Sequence, residues 1–177
     1  RLLSRGLGDV YKRQLKCSED KYPLQEFVSA GYHSMQACQK TYNGVSIISK
    51  SQGTDRQNNP VALNDDEMRS IAATFGELRV VNFYVVNGQS IGSEKYIHKL
   101  KWLENARNYI EDQLSTYRKL VVVGDFNIVP NENDASNFSS EDILCSDKER
   151  EALQAILDLG LTAVSYTHLR AHETEAY

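Results

Sequence analysis

The chain has 177 residues, a length typical of one domain, and its balance of hydrophobic and charged residues is that of a soluble globular protein. No apolar run approaches the roughly 20 residues that a membrane-spanning helix needs, and none resembles a signal peptide. The net charge of −4 excludes a protein that coats nucleic acid through bulk positive charge. Binding to DNA would therefore require a local basic surface together with a metal ion.

The two ends of the chain differ from the rest. Residues 1–14 (RLLSRGLGDVYKRQ) and 163–177 (AVSYTHLRAHETEAY) have no clear helical or strand periodicity. Their strings GDVYKRQ and SYTHLRAHET resemble translated sequencing-adapter DNA. We therefore predict that both ends are foreign to the domain, which we place at 15–162. His168 and His172 lie four residues apart but lack a third ligand, so we expect no metal site there.

The three cysteines predict a reduced protein. Cys17, Cys38 and Cys145 fit no zinc-binding spacing, and an odd number argues against a disulfide framework. We interpret them as packing residues of a protein that functions in the cytoplasm.

In the first half of the core, Pro23 and Gly31 bracket a short predicted helix at 24–30. The polar, turn-rich segment 51–66 is typical of a surface loop. Gly76 and Glu77 separate two β-rich runs and predict a two-residue hairpin turn. The strands predicted in this half are 32–37, 45–49, 68–75 and 78–85.

The strongest pattern is a strand, a helix and a strand at 78–86, 93–114 and 119–123. Ser93 can cap the helix, and such a crossover usually joins parallel strands of one sheet. The loops that follow both strands then open at the same sheet edge, where α/β proteins bind ligands. The apolar face of the helix consists of Tyr96, Leu100, Leu103, Ala106, Ile110 and Leu114.

The last predicted element is a helix that begins at a capping box. Ser146 and Glu149 have the required spacing, and Gly160 ends the helix. Its buried residues are predicted to be Leu153, Ile156 and Leu157. Together these elements predict an α/β fold.

Polar residues directly follow the apolar strand 119–123. Asp125 and Asn127 lie two positions apart, so in an extended segment both face the same side. Carboxylate and amide oxygens on one side can bind Mg²⁺ and a phosphate. The alternative is an ordinary turn, because Asp and Asn favour such positions.

Further candidates lie on the same predicted edge. Strand alternation places Val81, Phe83 and Val85 on one face, and Asn82 and Tyr84 on the other. A tyrosine at a strand end usually packs in the core, and only its expected position beside Asp125 makes it a site candidate. Asn87 begins a polar loop, which is either functional or a plain connector. The candidate phosphate contacts, each of which is also explained as a solvated surface charge, are Lys40, Arg69, Lys95, Lys99 and Lys101.

Three segments, QKTYNGVSIIS (39–49), RVVNFYVVNGQSIGSEKY (79–96) and LVVVGDFNIVP (120–130), resemble the exodeoxyribonuclease III family of apurinic/apyrimidinic endonucleases. GDFN is shared with the wider endonuclease, exonuclease and phosphatase superfamily, whereas the other two segments are typical of its DNA-repair branch. The resemblance extends in order from about 15 to 162.

The resemblance implies a four-layered α/β sandwich of the deoxyribonuclease-I type, incomplete at both ends here, in which two mixed sheets pack face to face. It implies a Mg²⁺- or Mn²⁺-dependent monomer that cleaves double-stranded DNA at abasic sites and degrades it from 3′ ends. By resemblance, Asp125 activates water or protonates the leaving group, Asn127 holds the scissile phosphate and, like Asp125, lies near the metal, and Tyr84 contacts the phosphate. Arg69 and Asn87 lie along the implied DNA path.

The chain departs from the family pattern in two places. Gln14 stands where the family has its metal-binding glutamate. After 162 the family continues with a further aspartate and a closing Asp-His pair, which this chain lacks. We therefore expect the parent protein to be a repair nuclease and the 177-residue chain to be inactive. The alternatives are a superfamily phosphatase that acts on a lipid or sugar phosphate, and a non-catalytic DNA-binding remnant.

Overall fold

A computed structural model describes residues 10–14, 18–40, 43–63, 67–134 and 139–164 of the chain. Cys17, His168 and His172 lie outside these ranges, as does most of the predicted foreign end 163–177. Cys145 is buried, as expected of a packing residue, and Cys38 is partly buried.

The first sheet has three described strands, β1 (Val10–Gln14), β2 (His33–Ala37) and β3 (Val45–Ser49). Their order is β1-β3-β2, and both pairings are antiparallel. Val10–Gln14 form β1 although the sequence shows no clear strand periodicity there, because the strand is held by backbone pairing with the buried strand β3. The prediction that this end is foreign to the domain stays a prediction.

The second sheet has the order β4-β5-β6-β7, with β4 at Thr54–Asn58, β5 at Ser70–Phe75, β6 at Leu78–Tyr84 and β7 at Lys119–Asp125. The predicted parallel pairing of β6 with β7 and the hairpin turn at 76–77 are confirmed. The prediction of a loop over all of 51–66 is wrong, because β4 lies within it. All five residues of β4 are exposed, so this edge strand lacks the alternating apolar residues that identify a strand in sequence.

Among the described residues, three helices cover the sheets, α1 (Leu24–Ser29), α2 (Glu94–Thr116) and α3 (Asp147–Leu157), and two single turns of 3₁₀ helix lie at Glu19–Lys21 and Glu132–Asp134. Both predicted caps are confirmed: Ser93 Oγ accepts the N–H of Tyr96 at 3.1 Å, and Ser146 and Glu149 form the capping box. None of the helices in the described ranges is both long and apolar enough to cross a membrane.

Two hydrophobic cores in the described part of the chain hold these layers together. One lies between the sheets and includes Met35, Ile47, Ile71 and Val80. The other lies between the second sheet and the helices α2 and α3. Since α1 contacts β2 of the first sheet, the described elements form four layers, and the predicted α/β sandwich is confirmed. The strand pairs of the first sheet are antiparallel, so only the second sheet is mixed among the described strands.

The buried face of α2 differs from its predicted apolar face at several positions. Tyr96, Leu103, Ala106 and Ile110 are buried as predicted, whereas Leu100 and Leu114 are only partly buried. The remaining buried residues are Trp102, Lys99 and Gln113. On α3, Leu153 and Ile156 are buried as predicted, and Leu157 is partly buried.

Lys99 is neither the phosphate contact nor the solvated surface charge that the sequence offers as alternatives, so both interpretations are wrong. The side chain is fully buried and forms an ion pair with the equally buried Glu149 of α3. Burial lowers the pKa of Lys99, and the hydrogen bond to Glu149 opposes this effect.

Arg79 of β6 is a second fully buried cation. Its five N–H groups donate to five acceptors at 2.7–3.3 Å, and the ring of Tyr117 lies 4.9 Å from its guanidinium carbon. The acceptors come from β4, β5 and the last turns of α2, so Arg79 ties the edge strand to the helix. They are the side-chain oxygens of Gln57, Thr74, Tyr109 and Gln113 and the carbonyl of Asp55.

We predict that Arg79→Met lowers the free energy of unfolding by about 3–5 kcal/mol, because it removes five hydrogen bonds and leaves the buried side-chain oxygens of Thr74 and Gln113 without this donor. The matched control is Arg107→Met on α2, which removes an exposed ion pair with Glu111 and costs less than about 1 kcal/mol. Urea denaturation of both variants measures the difference. Equal effects would contradict the role assigned to Arg79.

Candidate active site at the ends of two parallel strands

The site begins where the parallel strands β6 and β7 end. Tyr84 of β6 lies in register with Asp125 of β7, and the N–H of Val85 donates to the carbonyl of Asp125 at 2.9 Å. Both strands therefore deliver their following loops to the same edge of the sheet, as the sequence predicts. The alternation along β6 is also as predicted, since Phe83 packs toward the helices and Tyr84 toward the core between the sheets.

Gly124 allows β7 to lie close to β6 just before this edge. Its φ is 149°, and a Cβ built at this position would lie 2.1 Å from the carbonyl oxygen of Phe83. Any side chain would therefore force the two strands apart. The glycine that precedes Asp125 is thus explained by close backbone approach.

Asn127 is held in a turn rather than in an extended strand. Its φ is 50°, its N–H donates to Asp125 Oδ1 at 3.0 Å, and its Nδ2 donates to the carbonyl of Val85 at 2.9 Å. The expectation that an extended backbone places Asp125 and Asn127 on one side is therefore wrong. The turn instead brings Asn127 into direct contact with the Asp125 carboxylate, because Asn tolerates the left-handed conformation and can form this local hydrogen bond.

These residues line a cavity of about 430 Å³ at the sheet edge. The amide oxygen of Asn127 accepts no hydrogen bond from any residue in the described ranges, so it remains available to a ligand. Apolar side chains form most of the rest of the lining. The cavity is lined by Gly124, Asp125, Phe126, Asn127, Ile128, Val129 and Leu144.

Arg69 fixes the position of Tyr84. Its guanidinium carbon lies 5.0 Å from the centre of the Tyr84 ring, and Nη1 donates to the Tyr84 carbonyl at 3.3 Å. On its other side, Nε donates to Glu67 Oε2 at 2.6 Å. Burial alone would raise the pKa of Glu67, but the hydrogen bond and charge of Arg69 outweigh burial and hold this pKa below its usual value. The guanidinium is therefore held between a carboxylate and the aromatic ring.

A groove of about 600 Å³ brings Arg69 together with two other predicted contacts, Asn87 and Lys95. Lys40 and Lys101 are exposed but do not line it. His98 also lines the groove, and sequence reasoning missed it, although it lies one helical turn after Lys95. The groove is lined by Glu67, Arg69, Val86, Asn87, Gly88, Gln89, Glu94, Lys95 and His98.

The side-chain oxygens at the sheet edge provide only part of the ligand set that Mg²⁺ needs. The Asp125 carboxylate and the Asn127 amide offer hard oxygen ligands, which Mg²⁺ prefers. Within the described ranges, however, no three His, Cys, Asp or Glu residues lie close enough together to hold a metal ion. A magnesium ion there would need water, substrate phosphate or a ligand outside those ranges to complete its coordination.

A family model described as "Endonuclease/Exonuclease/phosphatase family" matches residues 9–172. The chain belongs to this family. A curated relative in sequence is exodeoxyribonuclease III of Haemophilus influenzae, 28% identical over 69% of this chain and 48% of that protein. Another is the DNA-(apurinic or apyrimidinic site) endonuclease of Dictyostelium discoideum, 24% identical over 82% of this chain and 41% of that protein.

Three solved structures resemble the fold over 85% of the chain. A 3′ phosphatase from Neisseria bound to a product DNA hairpin superposes with a TM-score of 0.80 at 37% identity. A 3′-5′ exonuclease from Neisseria meningitidis gives 0.77 at 38%, and an AP endonuclease from Archaeoglobus fulgidus gives 0.76 at 33%. The matched part covers 59%, 59% and 60% of those chains, and about half or less of the curated relatives.

We predict that Asn127→Ala is more destabilising than Asn127→Gly. Both variants lose the hydrogen bond to Val85, which is worth about 1 kcal/mol, and alanine adds about 1 kcal/mol or more of strain in the left-handed conformation. Guanidinium denaturation of the two variants measures the difference. A glycine variant as unstable as the alanine variant would show that the left-handed conformation is not maintained in solution.

Proposed function

We propose that the whole protein is a divalent-metal-dependent DNA-repair nuclease that hydrolyses phosphodiesters, both as a 3′→5′ exodeoxyribonuclease and as an abasic-site endonuclease. The observation that carries this proposal is the meeting of Tyr84, Asp125 and Asn127 at the sheet edge formed by β6 and β7. The names of the family relatives, an exodeoxyribonuclease III and two AP endonucleases among them, support the choice of DNA as the substrate.

Each of the three residues has a role in hydrolysis. The Asp125 carboxylate activates the attacking water or protonates the leaving oxygen, which is worth roughly 10²–10⁴-fold in rate. Asn127 holds the scissile phosphate and, with Asp125, contributes oxygen ligands to the metal. The phenol of Tyr84 donates to a phosphoryl oxygen as negative charge develops there. Mg²⁺ or Mn²⁺, when bound, supplies charge compensation on the phosphoryl oxygens.

The groove beside this site is proposed to hold the DNA backbone. Arg69 and Lys95 provide positive charge, and Asn87 provides an amide near the site. Glu67 and Glu94 line the same groove and offset this charge, so the groove alone attracts DNA weakly. Productive binding therefore depends on the metal, in agreement with the negative net charge of the chain.

We further propose that the 177-residue chain itself turns over DNA slowly or not at all. Gln14 stands where the family has a metal-binding glutamate, and a neutral amide is a much weaker ligand for Mg²⁺ than a carboxylate. The whole protein is proposed to act as a monomer in the cytoplasm, a reducing compartment that suits the buried thiol of Cys145.

Removal of a 3′ phosphate from DNA is the second candidate function. One solved relative is a 3′ phosphatase bound to product DNA, and the same carboxylate, amide and phenol would serve a phosphomonoester. A lipid or sugar phosphatase and a non-catalytic DNA-binding protein remain the alternatives. The sequence segments typical of the DNA-repair branch argue against the first of these, and the acidic net charge argues against the second.

The test compares the unchanged chain, Gln14→Glu and the double variant Gln14→Glu/Asp125→Asn. The substrates are DNA duplexes with an abasic site, a recessed 3′ end or a 3′ phosphate, and an inositol phosphate, with Mg²⁺, Mn²⁺ or a chelator. We expect turnover near background for the unchanged chain and only a partial gain of metal-dependent DNA cleavage for Gln14→Glu, because the residues that the family carries after 162 are not among the 177. Adding Asp125→Asn should lower that partial cleavage at least about 10²-fold, because it removes the acid-base group.

Two results would contradict the proposed nuclease activity or the proposed effect of Gln14. Release of phosphate from the inositol phosphate without any reaction on DNA would replace the nuclease by a phosphatase of small substrates. Metal-dependent cleavage of abasic DNA by the unchanged chain, lost on Asp125→Asn, would show that Gln14 does not limit activity.

A further inference from the structure

Lys99 joins the two loops that form the site. Its buried ammonium donates to the carbonyl of Asn87 at 3.2 Å, to the carbonyl of Asn127 at 2.6 Å and to Glu149 Oε1. Asn87 lies in the loop after β6, and Asn127 lies in the loop after β7. An ammonium has three N–H donors, so every donor of Lys99 is used.

The acidic partner of Lys99 is anchored just as fully. Glu149 Oε2 accepts the N–H of Ser146 at 3.2 Å and its hydroxyl at 2.7 Å. The Ser146 hydroxyl also lies 2.8 Å from the hydroxyl of Tyr96, which comes from α2. We call Lys99, Glu149, Ser146 and Tyr96 the Lys99 network; it links α2 and α3 to the backbone of both site loops.

Holding α2 against α3 does not by itself require this network. A buried ion pair often contributes no more stability than apolar side chains of similar volume. Apolar side chains, however, could not donate to the carbonyls of Asn87 and Asn127. The Asn127 carbonyl points to Lys99 while its N–H and side chain contact Asp125 and Val85, and this combination occurs in the left-handed conformation. The charged end of Lys99 therefore has a specific partner in the site backbone.

We propose that Lys99 is a positioning residue, which holds the Asn127 turn against Asp125 and fixes the Asn87 loop at the same edge. The consequence for phosphate binding rests on the proposed function, whereas the consequence for the Asn127 turn does not. Loss of the Lys99 network leaves the fold in place and releases the turn, so Asn127 no longer presents its amide oxygen beside the Asp125 carboxylate.

The test replaces both charges at once, in Lys99→Met/Glu149→Leu, so that no unpaired charge stays buried. The matched control is Leu153→Ala, which removes a buried side chain of α3 and leaves Lys99 and its contacts unchanged. Hydrogen exchange of the Asn127 backbone N–H is measured by NMR, and the melting temperature of each variant is measured separately. The affinity for a duplex with an abasic site is measured in Mn²⁺.

We expect exchange at Asn127 to become about tenfold faster in the double variant, the size expected for loss of one hydrogen bond that holds the turn. The control should lower the melting temperature and leave exchange at Asn127 within about twofold of the unchanged chain. The reason is that this N–H exchanges through local opening of its turn, which a loss of overall stability does not change. Unchanged exchange in a folded double variant would overturn the proposal, as would equal acceleration in the control.

A measurement on the unchanged chain decides the matter if the double variant does not fold. A scalar coupling across the hydrogen bond, between Lys99 ¹⁵Nζ and the ¹³C carbonyl of Asn127, supports the proposal, and its absence overturns it. DNA affinity separates the two proposals. A folded Gln14→Glu chain that does not bind DNA in Mn²⁺ argues against the nuclease, whereas faster exchange at Asn127 in the double variant still supports the role of Lys99.

Discussion

The parallel pairing of β6 with β7 is the constraint on which the rest of this structure depends. It sets Tyr84 opposite Asp125 and so brings to one sheet edge two loops that are far apart in sequence. A shift of one residue in this register would turn one strand's side chains to the opposite face and separate the tyrosine from the carboxylate. Gly124 protects the register, because only a residue without a side chain permits the close approach to Phe83.

The helix that connects these strands is anchored by a buried cation near each end. Arg79 binds the last turns of α2 to the edge strand β4, and all its donors have neutral acceptors among the described residues. Lys99 lies in the early part of α2 and binds the two site loops together with Glu149. The two cations have different roles. Arg79 joins the edge strand β4 to α2 far from the site, whereas Lys99 holds the backbone of Asn127. A buried cation without partners is strongly destabilising. The acceptors around Arg79 and Lys99 must therefore stay in place for the fold to be stable.

The sequence predicts the elements that have periodic patterns or caps, and fails where tertiary contacts decide. The strand-helix-strand unit and the Ser146 capping box follow from spacing alone. The strand-helix-strand unit also predicts that Asp125 lies at the end of a strand parallel to β6, where it is found. Strand β4 has no pattern to detect, because an exposed edge strand buries neither face. Lys99 lies between Tyr96 and Leu103 on the buried side of α2, so its spacing indicates burial, but its charge led to the opposite prediction. The left-handed turn at Asn127 depends on hydrogen bonds to Asp125, Val85 and Lys99, which no local sequence pattern reveals.

We propose that a metal ion and a DNA phosphate meet at the edge formed by β6 and β7. Anomalous diffraction from crystals of the chain grown with Mn²⁺ and a short DNA duplex tests this proposal. We expect one manganese peak about 2.1 Å from a carboxylate oxygen of Asp125, with a DNA phosphate between that ion and the side chains of Tyr84 and Asn127. A manganese peak and a bound phosphate at any other place on the molecule, with the Asp125 carboxylate in contact with neither, would contradict it.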